Sequence, residues 1–561
     1  MCEGKKRKKA RNVEGMKRLL IILIVLLPLR ALACTNLIVG KKASADGSVF
    51  VSYNADSYGT YGNLYHHIGS THEAGEMRPI YEWDTNKYLG EIPQADRTYT
   101  VVSQMNEHQV ASCETSFGGR HELADSTGII DYGSLIYIAL ERSRSAREAI
   151  EVMTTLVEKY GYYSEGESFS IADPNEAWIM EMVGKGPGGG GALWVAVRIP
   201  DDCISAHANQ SRITTFDRKD KDNVLYAKDV ITFARERGYF SGKDEDFSFR
   251  DAYCPLDFSG IRICDARVWS FFRRHADGMD AYLPYINGEG LVEGGSVEEM
   301  PLYVKPNHLL SVRDVQNGMR DHYEDTPLDI RHDLGAGAYH MPYRPTPLGT
   351  KVDSVRYYNE RPTSTQQTSF SIVCQLRADK PDAIGGVAWW MHDDANMGAY
   401  TPVYCASTTV PPCYQRVPGV RDELTFSWES AFWLTNMVAN MVYPYYDKMF
   451  PDLQRVRDGL EDRFAARQDS IETLAASLPA EEAVALLTDY GLACADEMMQ
   501  AWKDLFVYLV VKHNDMTIKQ EEDGHFKRTP YGLAAPVQRP GYPEDYWRAI
   551  IQQTGDRYVD K

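Results

Sequence analysis

Soon after residue 34 the chain adopts strand-like patterning. The runs "CTNLIVG" (34–40) and "SVFVSYN" (48–54) are apolar and β-branched, and the "KKASADG" between them ends in Asp46-Gly47, a hairpin-turn pair. A further strand pair is predicted within 98–117. From 134 to 159 the period changes: Leu135, Ile138, Ala139, Ala146, Ala149, Ile150, Met153, Leu156 and Val157 recur at three- and four-residue spacing, which predicts one amphipathic helix ending near Gly161. "SFSIADPNEAWIMEMV" (168–183) reads as strand, Asp-Pro-Asn turn and strand, and "ALWVAVRIPDDCISAHANQ" (192–210) continues in the same way. Residues 213–360 hold few long apolar runs and are expected to form long surface segments. Strand character returns in "FSIVCQL" and "IGGVAWWM" (within 367–410), and long helices are expected over 424–446, 452–478 and 481–512. Elements grouped in blocks in this way predict a layered α+β protein, not a doubly wound sheet. No fixed-period repeat is visible.

The N-terminus follows another logic. "KRLLIILIVLLPLRALA" (17–33) has a basic start, an apolar stretch from Leu19 to Leu29 and small residues at Ala31 and Ala33, the pattern of a secretory signal. The apolar stretch falls short of the ~20 residues that span a bilayer. Residues 1–33 are therefore expected to leave on export to a periplasmic or extracellular location, with Met1 and Met16 both open as the start. The 561-residue chain carries a formal charge of -19, and removal of nine Lys/Arg and two Glu with the leader takes it to -26. So acidic a surface repels phosphate backbones, which argues against a nucleic-acid partner. Ten cysteines are present and Cys2 leaves with the leader. The odd remainder in an oxidising compartment implies at least one free thiol, with Cys254–Cys264 and Cys405–Cys413 as possible disulfides.

Several chemistries find no support. "GKGPGGGG" (184–191) lacks the Lys-Ser/Thr ending of a phosphate loop and is followed by a strand, so a turn is expected. His66, His67 and His121 have no partner at metal-ligand spacing, and no Gly-x-Ser-x-Gly elbow occurs. Cys34 stands apart because it immediately follows the Ala-Leu-Ala cleavage pattern. A free α-amine has a pKa near ~8, against ~10.4 for lysine, so a terminal cysteine carries both a nucleophile and a usable base. Three readings stay open on these residues alone: nucleophile, lipid-anchor acceptor and coincidence.

The stretch "CTNLIVGKKASADGSVFVSYNADS" (34–57) resembles the start of the secreted dipeptidases of the N-terminal-nucleophile superfamily, the PepD-like cysteine peptidases. The resemblance continues through "QMNEHQVASCETSFGGR" (104–120), "GKGPGGGGALWVAVRIPDD" (184–202), "SAHANQSRI" (205–213) and "DARVWSFFRRHADGMD" (265–280), and covers residues 34 to roughly 410. It implies a four-layer αββα sandwich with the nucleophile at the tip of a sheet edge, and hydrolysis of dipeptide amide bonds without metal or organic cofactor. The implied organisation is a signal peptide (1–33), a catalytic domain (34–415) and a C-terminal helical region packed on it (416–561).

The resemblance assigns roles residue by residue. Cys34 matches the nucleophile, Asp56 a carboxylate orienting its amine, Asn209 an oxyanion donor and Arg267 an arginine near the nucleophile that favours thiolate. Relatives commonly carry Arg-Asn-x-Asp where this chain has Tyr53-Asn54-Ala55-Asp56, so one expected positive charge is replaced by Tyr53. Where bile-acid hydrolases of the superfamily show an oxyanion Asn, this chain has Glu114-Thr115-Ser116. Ser116 or a backbone N–H is expected to serve the oxyanion there, and Glu114 to meet a substrate ammonium. The alternatives are an acylase for another small amide, such as a bile-acid conjugate or a lactam, and a non-catalytic surface protein bound to the membrane through a lipidated Cys34.

Overall fold

The computed structural model describes residues 34–291 and 299–560, and the expected leader lies outside them. The strands of the two main sheets begin with β1 (Asn36–Val39), β2 (Val49–Asp56), β3 (His66–His67), β4 (Val101–Val102), β5 (Met105–Asn106) and β6 (Ala111–Gly118). They continue with β7 (Gly166–Ala172), β8 (Ala177–Val183), β9 (Leu193–Ile199), β10 (Ile204–His207) and β11 (Val224–Tyr226). The last are β12 (Tyr303–Val304), β13 (Thr368–Leu376), β14 (Val387–His392) and β15 (Thr401–Tyr404). One antiparallel sheet runs β12-β10-β1-β2-β13-β14-β15, and the other runs β11-β9-β8-β7-β6-β5-β4-β3.

Side-chain alternation along β8 explains where the sheets face. Ile179 and Val183 join a core that also contains Ile38, Phe50 and Cys374 of the first sheet, whereas Trp178, Met180 and Met182 join a second core. That second core is completed by Ile136 and Leu140 of α1 (Tyr132–Arg142) and by Ile150 and Met153 of α2 (Ala146–Tyr160). The single helix expected over 134–159 is therefore two. Ser143 and Ser145 adopt extended backbone conformations, and the Ser145 side chain accepts from the Glu148 N–H to start α2 afresh.

The middle of the chain departs most from expectation. Residues 213–360 include α3 (Ala266–His275) and α4 (Val312–Met319), and Arg267, Trp269, Val315 and Met319 in them are fully buried. These helices carry four arginines, which hydropathy reads as surface, but hydrogen bonds within the fold satisfy the buried guanidinium of Arg267. Neither of the two possible disulfides forms: all nine cysteines from Cys34 to Cys494 are free thiols. Cys405 instead donates to the Asp382 carbonyl at 3.1 Å, and Cys254 packs against Gln210.

Toward the C-terminus α5 (Ala431–Val442), α6 (Tyr446–Ala476) and α7 (Ala480–Lys512) follow. The first of these starts at its cap Ser430, later than the expected 424. Leu453, Leu460 and Trp502 share the first core with Val403 and Tyr404 of β15. Gly491 lets α7 approach β15, since a Cβ there would stand 2.9 Å from the Pro402 carbonyl oxygen. The protein is thus α+β, with antiparallel sheets and a helical C-terminal region.

A buried polar cluster ties α6 to the sheet. Glu472 accepts from Arg377 at 2.7 and 2.9 Å and from Tyr404 and Gln468, each at 2.9 Å. Replacing Glu472 by Ala strands the Arg377 guanidinium, which is 5% exposed. The expected loss is about 3–5 kcal/mol, read as a lower urea midpoint at unchanged m-value.

Candidate active site

The candidate site forms where β1, β2 and β6 converge. Cys34 lies just before β1, an interior strand flanked by β10 and β2, so it is not at a sheet edge. Interior position gives it neighbours from both sides. Its Sγ is 3.6 Å from the Tyr53 hydroxyl and 3.9 Å from Glu114 Oε1, and the Tyr53 hydroxyl itself donates to Glu114 Oε1. The backbone N–H of Asp56 also hydrogen-bonds the sulfur.

Burial pushes the Cys34 thiol well up, and the negative charges of Glu114 and Asp56 add to this; the Asp56 N–H and the Tyr53 hydroxyl oppose it. The resting group is a thiol. Tyr53 therefore does not replace the missing arginine as a source of positive charge. It joins the sulfur to a carboxyl.

Arg267 clamps the main chain around the nucleophile. From α3 it donates to the Cys34 carbonyl at 2.5 Å, the Thr35 hydroxyl at 2.7 Å, and the Ala208 carbonyl and Asn209 Oδ1 at 3.0 Å each. Its hydrogen bond to Cys34 is made to the carbonyl, so it positions the residue. Asn209 has a positive φ of 62°, a conformation that asparagine tolerates better than most residues. With Oδ1 held by Arg267, its amide donates to the Ser116 carbonyl at 2.7 Å, which leaves one N–H of the NH₂ group for another acceptor.

Asp56 ends β2 and is fully buried. The register of β2 with β13 sets Thr368 opposite it, and the Thr368 hydroxyl donates to Oδ1 at 2.6 Å while Arg361 pairs with Oδ2. Burial raises the Asp56 carboxyl above the usual range, against the pull of Arg361 and the Thr368 hydrogen bond. Ser116 donates to Glu167 Oε2 at 2.9 Å, and Glu167 contacts Glu114. The structure thus brings Cys34, Asp56, Glu114, Ser116, Asn209 and Arg267 into one hydrogen-bonded cluster.

Sequence reasoning missed Arg361, Thr368 and Glu167. Glu167 carried a faint signal as an acid inside the strand run "GESFSIA". Arg361 and Thr368 carried none, being 305 and 312 residues from Asp56.

Comparison with known proteins gives this geometry its context. The family described as Peptidase family C69 matches residues 33–459, beginning one residue before Cys34. A probable dipeptidase of Latilactobacillus sakei is 27% identical over 86% of this chain and 96% of its own length. A probable dipeptidase of Salmonella dublin is 28% identical over 69% of this chain and 85% of its own. Dipeptidase A of Lactobacillus helveticus is 25% identical over 77% and 84%, respectively. The class is therefore that of the peptidases, hydrolases of amide bonds. The chain belongs to peptidase family C69. Among the described residues no helix is long and apolar enough to cross a membrane.

Proposed function

We propose that the protein is a cysteine-type dipeptidase whose nucleophile is Cys34, made competent when cleavage after Ala33 turns its backbone nitrogen into a free amine. The observation that carries this reading is the clustering around one thiol of Asn209, Arg267, Asp56 and two buried glutamates, directly behind a leader-like segment. The curated relatives named as dipeptidases support the substrate class. We further propose a four-layer αββα sandwich of the N-terminal-nucleophile type over 34–415, with the helical region 416–561 packed on it, and export through residues 1–33.

In the proposed reaction the Cys34 Sγ attacks the dipeptide carbonyl carbon. The C–S bond forms as the thiol proton passes to the α-amine, and the oxyanion is met by the second Asn209 N–H. The C–N bond then breaks, and the proton moves from the amine to the leaving nitrogen. Water, giving a proton to the same amine, splits the thioester and restores the thiol. Arg267 holds the Cys34 carbonyl through these steps, and Asp56 lies close enough to orient the amine.

The pH dependence follows from the high thiol pKa. With little resting thiolate, attack requires the amine in its unprotonated form. Activity is therefore expected to fall as pH drops below the amine pKa of ~8 and to level off above it. The test is N-terminal sequencing of the secreted protein together with dipeptide hydrolysis across pH. A blocked or diacylated Cys34, or a profile rising toward acid, would overturn the reading.

A further inference from the structure

Glu114 and Glu167 are an unusual pair. They lie on adjacent strands, β6 and β7, each nearly fully buried, and their carboxyl groups touch. Each has one satisfied oxygen: Glu114 Oε1 accepts from Tyr53, and Glu167 Oε2 from Ser116. The remaining oxygens, Glu114 Oε2 and Glu167 Oε1, have no donor among the described residues, and no Lys, Arg or His there forms an ion pair with either side chain. The side chains of Tyr132 and Asp84 nearby add no positive charge. Two carboxyls stripped of water and given no cation are costly, and folds tolerate such arrangements mainly at sites that serve a ligand.

From this geometry we infer that the Glu114–Glu167 pair is the receptor for the substrate's α-ammonium group, which makes a free amino terminus, one residue from the scissile bond, the recognised feature of the substrate. The inference rests on the dipeptidase reading and specifies how its substrate is chosen.

The distances close. In a dipeptide the ammonium nitrogen lies about 2.5 Å from the scissile carbonyl carbon across one N–Cα–C angle. A carbonyl in attack position lies about 3–3.5 Å from the sulfur, and an ammonium–carboxylate hydrogen bond spans about 2.7–2.9 Å. Glu114 Oε1 is 3.9 Å from Cys34 Sγ, so the pair lies within the reach of an ammonium one residue from a carbonyl under attack. Charge also matches. Burial, more than any other factor, raises both carboxyls, and an ammonium entering between them supplies the donors that their free oxygens lack. An N-acylated substrate brings no such charge and would bury the pair unanswered.

The test uses the processed protein with one L-dipeptide, its N-acetylated form and its desamino analogue. Wild type is expected to show a KM for the dipeptide about 10- to 100-fold below those of the other two, the weight of charge-assisted hydrogen bonds. Glu167→Gln should raise the dipeptide KM by a similar factor relative to those of the two analogues and so erase the preference. Binding of the dipeptide and the desamino analogue to Cys34→Ala, measured by calorimetry, separates recognition from chemistry. If the dipeptide binds selectively but wild type cleaves nothing, the hydrolytic reading fails and the ammonium site stands. Equal affinity for the desamino analogue in wild type overturns the inference whether or not the variant folds. An equal fall in kcat on all substrates in Glu167→Gln also overturns it, because that identifies a proton relay.

Discussion

A chain released with Ala33 as its first residue will fold like the one beginning at Cys34 but lose about 10²- to 10⁴-fold in kcat/KM, the usual contribution of a positioned acid–base group. The two differ by a single residue. What changes is the nitrogen of Cys34: an amine in one, an amide in the other, and an amide cannot accept the thiol proton. The structure makes this loss hard to evade. The thiol is pushed well up by burial and by Glu114 and Asp56, and the described histidine close to this part of the fold, His207, is fixed between Thr115 and Ser170 at 2.7 Å on each side. Burial also drives His207 down to about 3, so it is a neutral, structural hydrogen-bonding group. Releasing both forms from an N-terminal fusion and comparing their rates and circular dichroism checks the prediction. Equal rates would assign the base elsewhere. Cys34→Ala should abolish turnover in either form.

Asp56→Asn is expected to cost about 3–5 kcal/mol of stability in addition to activity. Arg361 and Arg267 are both fully buried, and the charge of Arg361 disfavours that of Arg267, with Asp56 as the carboxylate beside them. Removing its charge leaves two guanidiniums facing each other in a water-poor interior. Burial and Arg361 already lower Arg267 to about 10. In the variant the clamp on the Cys34 carbonyl should loosen, which lowers kcat more than it raises KM. Urea unfolding gives the stability change and steady-state kinetics the second. An Asp56→Asn protein as stable as wild type would show that the two arginines are neutralised by other groups.

The strands were legible because they are short, β-branched and separated by Gly, Pro and Asp turns, as in β1–β2 and β7–β8. The break between α1 and α2 was not, since apolar spacing runs straight through "RSRSA" and only the Ser145 cap reveals the interruption. Within the candidate site, Cys34 was found through its position behind a cleavage pattern, and Asp56, Glu114, Ser116, Asn209 and Arg267 through family resemblance. The partners that decide their chemistry were not found, because pairing across a sheet leaves no local trace.

The amino-acid sequence by itself determined the alternation that builds two sheets, the helical C-terminal region and the singular position of Cys34, all of which depend on neighbours a few residues apart. Tertiary structure decided the rest. It chose which charges and donors share the buried interior with the thiol: Arg361 and Thr368 against Asp56, Glu167 against Glu114, Arg267 across the Cys34 carbonyl. Desolvation and proximity set the protonation of such groups, and both arise only once strands hundreds of residues apart lie side by side.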